Sequence, residues 1–177
     1  DNGSPFNVNH VPVFTAISTS PDLAGLGSSI TFLSTSSDTD TDTTADTVTA
    51  YVCKSNDFTG TACGAAGEWC HSSASASNPS CGYTVLSSDT TGTKTYYGYI
   101  IDNHNLQATS NPKTSTFSTD IDSPVLSGFS PISGAAIESA TPTINFTLNK
   151  VGDCRASTQN RNYDQMISDV TCSGTQT

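Results

Sequence analysis

The sequence predicts an all-β protein built as two β-sandwich modules in tandem, and three observations lead there. Thr, Val, Ile, Tyr and Phe recur in short runs separated by clusters of Ser, Asp, Asn, Gly and Pro, the composition of strands and turns. Ser and Thr make up close to a third of the 177 residues, while Leu, Glu, Lys, Arg, Met and Gln are scarce, which disfavours helices. Asp120-Ile121-Asp122-Ser123-Pro124 is the clearest linker, separating a module over 11–123 from another over 124–177.

Taken in order, residues 1–10 read as a strand belonging to, or completing, a neighbouring module. Their Asp1-Asn2 and polar stretch recur at Asp102-Asn103-His104-Asn105, where a strong strand closes. Residues 11–17 open the first module, with Pro12 suiting an edge strand. Pro21-Asp22 and Gly25-Leu26-Gly27 form a turn. Residues 29–34 alternate with Ile30 and Phe32 on one face, and residues 48–53 put Val48, Ala50 and Val52 on another.

The stretch 54–82 has little periodicity but holds Cys63, Cys70 and Cys81 around Trp69, so it reads as an excursion that disulfides pin. With Cys53 there are four cysteines and three pairings, and the local one, Cys53 with Cys63 and Cys70 with Cys81, is expected. Strands at 83–86, 94–101 and 114–119 finish this module, the second of them the strongest in the chain.

The later module offers segments at 125–129, at 141–148 with clean alternation, at 154–157 and a last one over 163–172, with Cys154 to Cys172 as its disulfide. It spans 54 residues, against about 100 for an Ig-like sandwich, and is therefore expected to be incomplete.

A formal charge of −10 argues against nucleic acid and anionic membranes as partners, since phosphate would be repelled. Residues 1–123 carry 12 acids and 3 bases, whereas 124–177 carry 4 and 3, so any cation binding belongs to the first part. Six cysteines without a Cys-x-x-Cys pair indicate three disulfides, an oxidising compartment, and an exported, extracellular or cell-surface protein. No signal-like segment opens the chain and no run of 18 apolar residues interrupts it, which predicts no membrane insertion and a mature product or a piece of something longer. Asn2 and Asn145 begin Asn-x-Ser/Thr sequons.

The chemistry concentrates in Asp38-Thr39-Asp40-Thr41-Asp42-Thr43-Thr44-Ala45-Asp46. Its acids fall at positions 1, 3, 5 and 9 of a calcium loop, the alternation that turns successive oxygens toward one centre. Thr43 stands where an EF-hand needs glycine and Thr49 where it needs a bidentate glutamate, so no EF-hand is expected. Two readings stay open: calcium bound by Asp38, Asp40, Asp42 and Asp46 between two strands, or a solvated acidic turn. Asp102, Asp120 and Asp122 form a weaker second candidate at the linker.

Trp69 reads either as a sugar-stacking platform or as the cover of a disulfide. His10, His71 and His104 sit in polar turns, Glu68 and Glu138 are the only glutamates, and no Gly-x-Ser-x-Gly turn exists, so no enzyme is expected. Calcium is the one cofactor the sequence suggests.

The acidic loop with Val48-Thr49-Ala50-Tyr51-Val52-Cys53-Lys54, the pieces Trp69-Cys70 and Ser80-Cys81-Gly82-Tyr83, and Gly152-Asp153-Cys154-Arg155 resemble tandem Ig-like modules of very large bacterial surface proteins. The resemblance implies an extracellular β-sandwich array with a scaffold or adhesive role. It transfers no active site. A surplus strand at one end and a deficit at the other predict head-to-tail assembly with other copies of the chain, residues 1–10 of one completing the 124–177 module of the next. The alternatives are a slice of a giant repeat protein, or an adhesin or carbohydrate-binding module that recognises surface glycans.

Overall fold

The structure is a computed structural model that describes residues 8–40, 46–150, 154–166 and 170–171. It is all-β: twelve strands and one 3-10 turn, with no α-helix among the described residues. Among the described residues no helix is long and apolar enough to cross a membrane. The chain divides into two units, 1–121 and 122–177.

In the first unit, β1 (Val13–Ser20), β3 (Ser29–Ser37) and β6 (Ser80–Thr84) form a three-stranded sheet in the order β1-β3-β6. Facing it is a five-stranded sheet in the order β2-β8-β7-β4-β5, made from β2 (Leu23–Gly25), β4 (Val48–Cys53), β5 (Glu68–His71), β7 (Gly92–Asp102) and β8 (Lys113–Asp120). Alternation decides which side chains meet between the sheets. Ile30 and Phe32 of β3 point inward with Val52 of β4, Tyr96 of β7 and Phe117 of β8, all buried. Phe32 packs edge-on to both Tyr96 and Phe117, with ring centroids 5.0 and 5.5 Å away. A second cluster joins Phe14, Val48, Ala50, Ile100 and Ala108. The inward positions that continue β3 are Ser34 and Ser36; the Ser34 hydroxyl donates to the Pro79 carbonyl at 2.7 Å, so this polar pair is satisfied although buried.

The stretch 54–82 departs from the sequence expectation of an aperiodic excursion, because it supplies β5 to one sheet and the start of β6 to the other. The two disulfides are those expected, Cys53–Cys63 and Cys70–Cys81. The second links the sheets directly, since Cys70 lies on β5 and Cys81 on β6. Residues 23–25, read as part of a turn, instead pair in parallel with β8.

The second unit contains two small antiparallel pairs, β9 (Leu126–Ser130) with β10 (Asn145–Leu148) and β11 (Arg155–Ala156) with β12 (Val170–Thr171). Tyr163–Met166, at the start of the last expected segment, is a 3-10 turn. Phe129 and Phe146 meet at 5.8 Å, yet none of the described residues from 122 onward is buried. Cys154 is disulfide-bonded, and its expected partner Cys172 lies outside the described residues. Disulfides in both units suit an oxidising compartment.

Candidate metal centre

The connection from β3 to β4 crosses from one sheet to the other, and its ends deliver the acids. Asp38 and Asp40 follow the last residue of β3, and Asp46 stands two positions before the start of β4. One carboxylate oxygen from each of Asp38, Asp40 and Asp46 lies within 4.8 Å of the others. Asp42 falls outside the described residues. The Asp46 amide donates to the Asp40 carbonyl at 3.3 Å, closing the loop, and the Asp40 amide donates to Asp38 Oδ1 at 3.2 Å.

The three acids differ in what surrounds them. The Asp46 side chain is 2% exposed; its Oδ2 is 3.4 Å from His104 Nδ1, and its Oδ1 has no hydrogen-bond partner. Asp38 Oδ2 is likewise excluded from solvent and unpartnered. Asp40 takes both of its contacts from His10: the backbone N–H donates to Oδ2, and the ring Nδ1 lies 2.7 Å from Oδ1. These bonds, the backbone one first, hold the Asp40 carboxyl below the usual carboxylate range against the opposing effect of desolvation.

The segment before β1 is drawn into the same corner. Beside His10, the Asn9 amide donates to Asp102 Oδ2 at 2.8 Å, while Asn9 Oδ1 is buried without a partner. Asp102 itself, 2% exposed, also accepts through Oδ1 from the amides of His104 (2.8 Å) and Leu106 (2.7 Å). Its oxygens are committed to the turn after β7, where Asn105 takes a φ of 67°.

The linker grouping of Asp102, Asp120 and Asp122 is not brought together. Thr119 pairs with Gly92 at the beginning of β7, which sets Asp120 at the opposite end of that eleven-residue strand from Asp102, about 30 Å away. Asp122 belongs to the other unit.

Trp69 packs edge-on against Tyr83 and Phe117, at 5.0 and 4.9 Å, with Lys54 Nζ 4.7 Å over its ring. The indole is thus engaged by its own module, beside the Cys70–Cys81 bridge. His71 contacts Glu68 at 2.8 Å and stacks on Tyr51. Asn145 is exposed at the start of β10, and Asn2 lies outside the described residues.

Asn9, His10 and His104 escaped the sequence reading as parts of the acidic corner. The one signal that touched them was the polar turn 102–105, which was read as a strand ending.

No protein-family model matches the chain, and no curated protein does. Among solved structures, the chain is similar to the PKD domain of an M14-like peptidase from a Thermoplasmatales archaeon. The two are 17% identical over 63% of this chain and 98% of that one, with a TM-score of 0.39.

Proposed function

We propose that the chain is an extracellular structural subunit of a cell-surface filament or array, made of β-sandwich modules that assemble head to tail. The observation that carries this is the contrast between the two units. The first encloses its own core, whereas the second leaves Phe129, Ile132, Ile137 and Ile144 between 47% and 73% exposed and buries none of its described residues. Apolar β-structure of this kind gains most from a further strand, which supplies backbone partners and covers side chains together. The N-terminal segment of another copy is the proposed donor. Asn9 and His10 are held by Asp102 and Asp40 of their own module, so the donated strand is residues 1–8. A contact between unlike ends does not close on itself and propagates as a fibre.

The test is the state of the purified full chain, followed by light scattering and electron microscopy, beside a variant lacking residues 1–8. Filaments from the full chain and monomers from the variant are expected, with a synthetic peptide of residues 1–8 binding the variant. Filaments that persist without residues 1–8 overturn the donor assignment. Native material that runs far above 18.3 kDa on a reducing denaturing gel instead identifies a slice of a longer repeat protein.

A further inference from the structure

We propose that Asp38, Asp40 and Asp46, with Asn9 as a further oxygen ligand, hold one hard divalent cation of the calcium class that fastens the segment entering β1 to the β3–β4 connection. This does not rest on the assembly reading.

Three carboxylates converge within 4.8 Å, and among the described residues the basic side chains that reach them are the imidazoles of His10 and His104. Convergence alone would be satisfied by solvent, but solvent does not reach the part that matters. Asp46 is 2% exposed, one of its oxygens is among the converging atoms, and its Oδ1 meets no donor among the described residues. Asp38 Oδ2 and Asn9 Oδ1 are in the same condition. Buried polar oxygens are ordinarily paired, so orphaned acceptors on two of the converging acids, with a third on Asn9 next to the His10 that binds Asp40, point to a missing positive partner.

The donor set is all oxygen, carboxylate with amide, which hard cations prefer to zinc or copper. Coordination geometry separates the hard cations. Calcium takes about six to eight oxygens in flexible geometry, whereas magnesium demands a near-ideal octahedron and dehydrates reluctantly, so an uneven set of carboxylate and amide oxygens suits calcium. The carbon skeleton explains why Asn9 belongs to the set. Its neighbour His10 is fixed by Asp40 and its own Nδ2 by Asp102, whose next residue Asn103 donates to the Thr47 carbonyl beside Asp46, so this anchored segment has an orphaned amide oxygen to offer. Asp102, with its oxygens already accepting three bonds, orients Asn9 and is not itself a ligand.

Calorimetric titration of calcium chloride into the full chain, stripped with chelator and kept dilute, tests the proposal. One site per chain is expected, with a dissociation constant on the order of 10⁻⁴–10⁻³ M, as in other extracellular modules. Magnesium chloride at the same concentration should bind at least tenfold more weakly. Asp46→Asn should abolish binding, Asn9→Ala should weaken it about tenfold, and Glu68→Gln should leave it unchanged. If Asp46→Asn does not fold, Asn9→Ala and Asp40→Asn carry the test. No heat and an unchanged melt at 10 mM calcium, or binding that Asn9→Ala and Asp40→Asn leave intact, overturns the site (a concentration of about ten times the weakest expected constant). Failure of filaments to form leaves these outcomes untouched.

Discussion

Gly98→Ala is the sharpest probe of how the two sheets fit. Gly98 lies on β7 between Tyr96 and Ile100, both buried, so its missing side chain would point into the space between sheets. A Cβ at that position would stand 2.6 Å from Ile17 Cδ1 and 3.4 Å from both Ile17 Cγ2 and Phe14 Cζ of β1. The backbone is not the obstacle, because Gly98 is not among the glycines with positive φ. Alanine there reduces unfolded-state freedom, worth about 0.4–1 kcal/mol in favour of folding. Overpacking opposes it by about 1–3 kcal/mol. The half-buried Ile17 can turn its Cδ1 aside, but its Cγ2 and Phe14 block a full escape, so a net loss of about 1–2 kcal/mol is expected.

Urea unfolding followed by Trp69 fluorescence measures it, since the single tryptophan lies in the first unit. Ile17→Val deletes Cδ1, the atom that clashes. The double variant should therefore be more stable than the sum of the singles by about 1 kcal/mol. A Gly98→Ala protein as stable as the parent, or effects that add within about 0.5 kcal/mol, would refute this account of the interface.

Two further predictions concern what holds the sandwich. Replacing Cys70 and Cys81 together by Ser removes an 11-residue loop closure that joins the sheets and should cost about 3 kcal/mol in the same urea assay; a loss below about 1 kcal/mol would show that packing alone aligns them. Tyr83 donates to both oxygens of Asp89, at 3.0 and 2.8 Å, and burial followed by this contact pushes its phenol up to about 12. The folded state then holds a proton that the unfolded chain releases near pH 10, so this contribution is complete below about pH 10 and is lost as pH rises toward 12. Tyr83→Phe should flatten the fall in stability over that interval, and parallel curves for the two proteins would count against the assignment.

What the sequence made legible was what alternation encodes. Ile30 with Phe32, and Val48 with Ala50 and Val52, announced β3 and β4 and the faces they bury, because each strand places alternate residues in one core. The strand β5 and the start of β6 were hidden because Glu68-Trp69-Cys70-His71 and Ser80-Cys81-Gly82 contain no β-branched run, and half-buried edge strands held by a disulfide do not need one. β2 was invisible for another reason: its three residues acquire strand character only from a partner about 95 positions later, and local composition reads as a turn. In the acidic corner, the Asp38 and Asp40 spacing was readable, as was Asp46. The contributions of His10, thirty residues from Asp40, and of Asn9, ninety-three from Asp102, were not, because nothing local signals contacts made across such separations.

The parallel pairing of β2 with β8 has a consequence for a molecule under tension. The chain reaches β2 through β1 and leaves the first unit after β8, so once β1 has parted from β3 a pull on the two ends draws β2 and β8 along their axes in opposite directions. Leu23 with Ser118, Ala24 with Thr119 and Gly25 with Asp120 must then give way together by sliding, whereas a hairpin pulled from its open end parts one bond at a time. The strand that looked least like a strand in the sequence is thus the one placed to make the module yield abruptly and late when it is stretched.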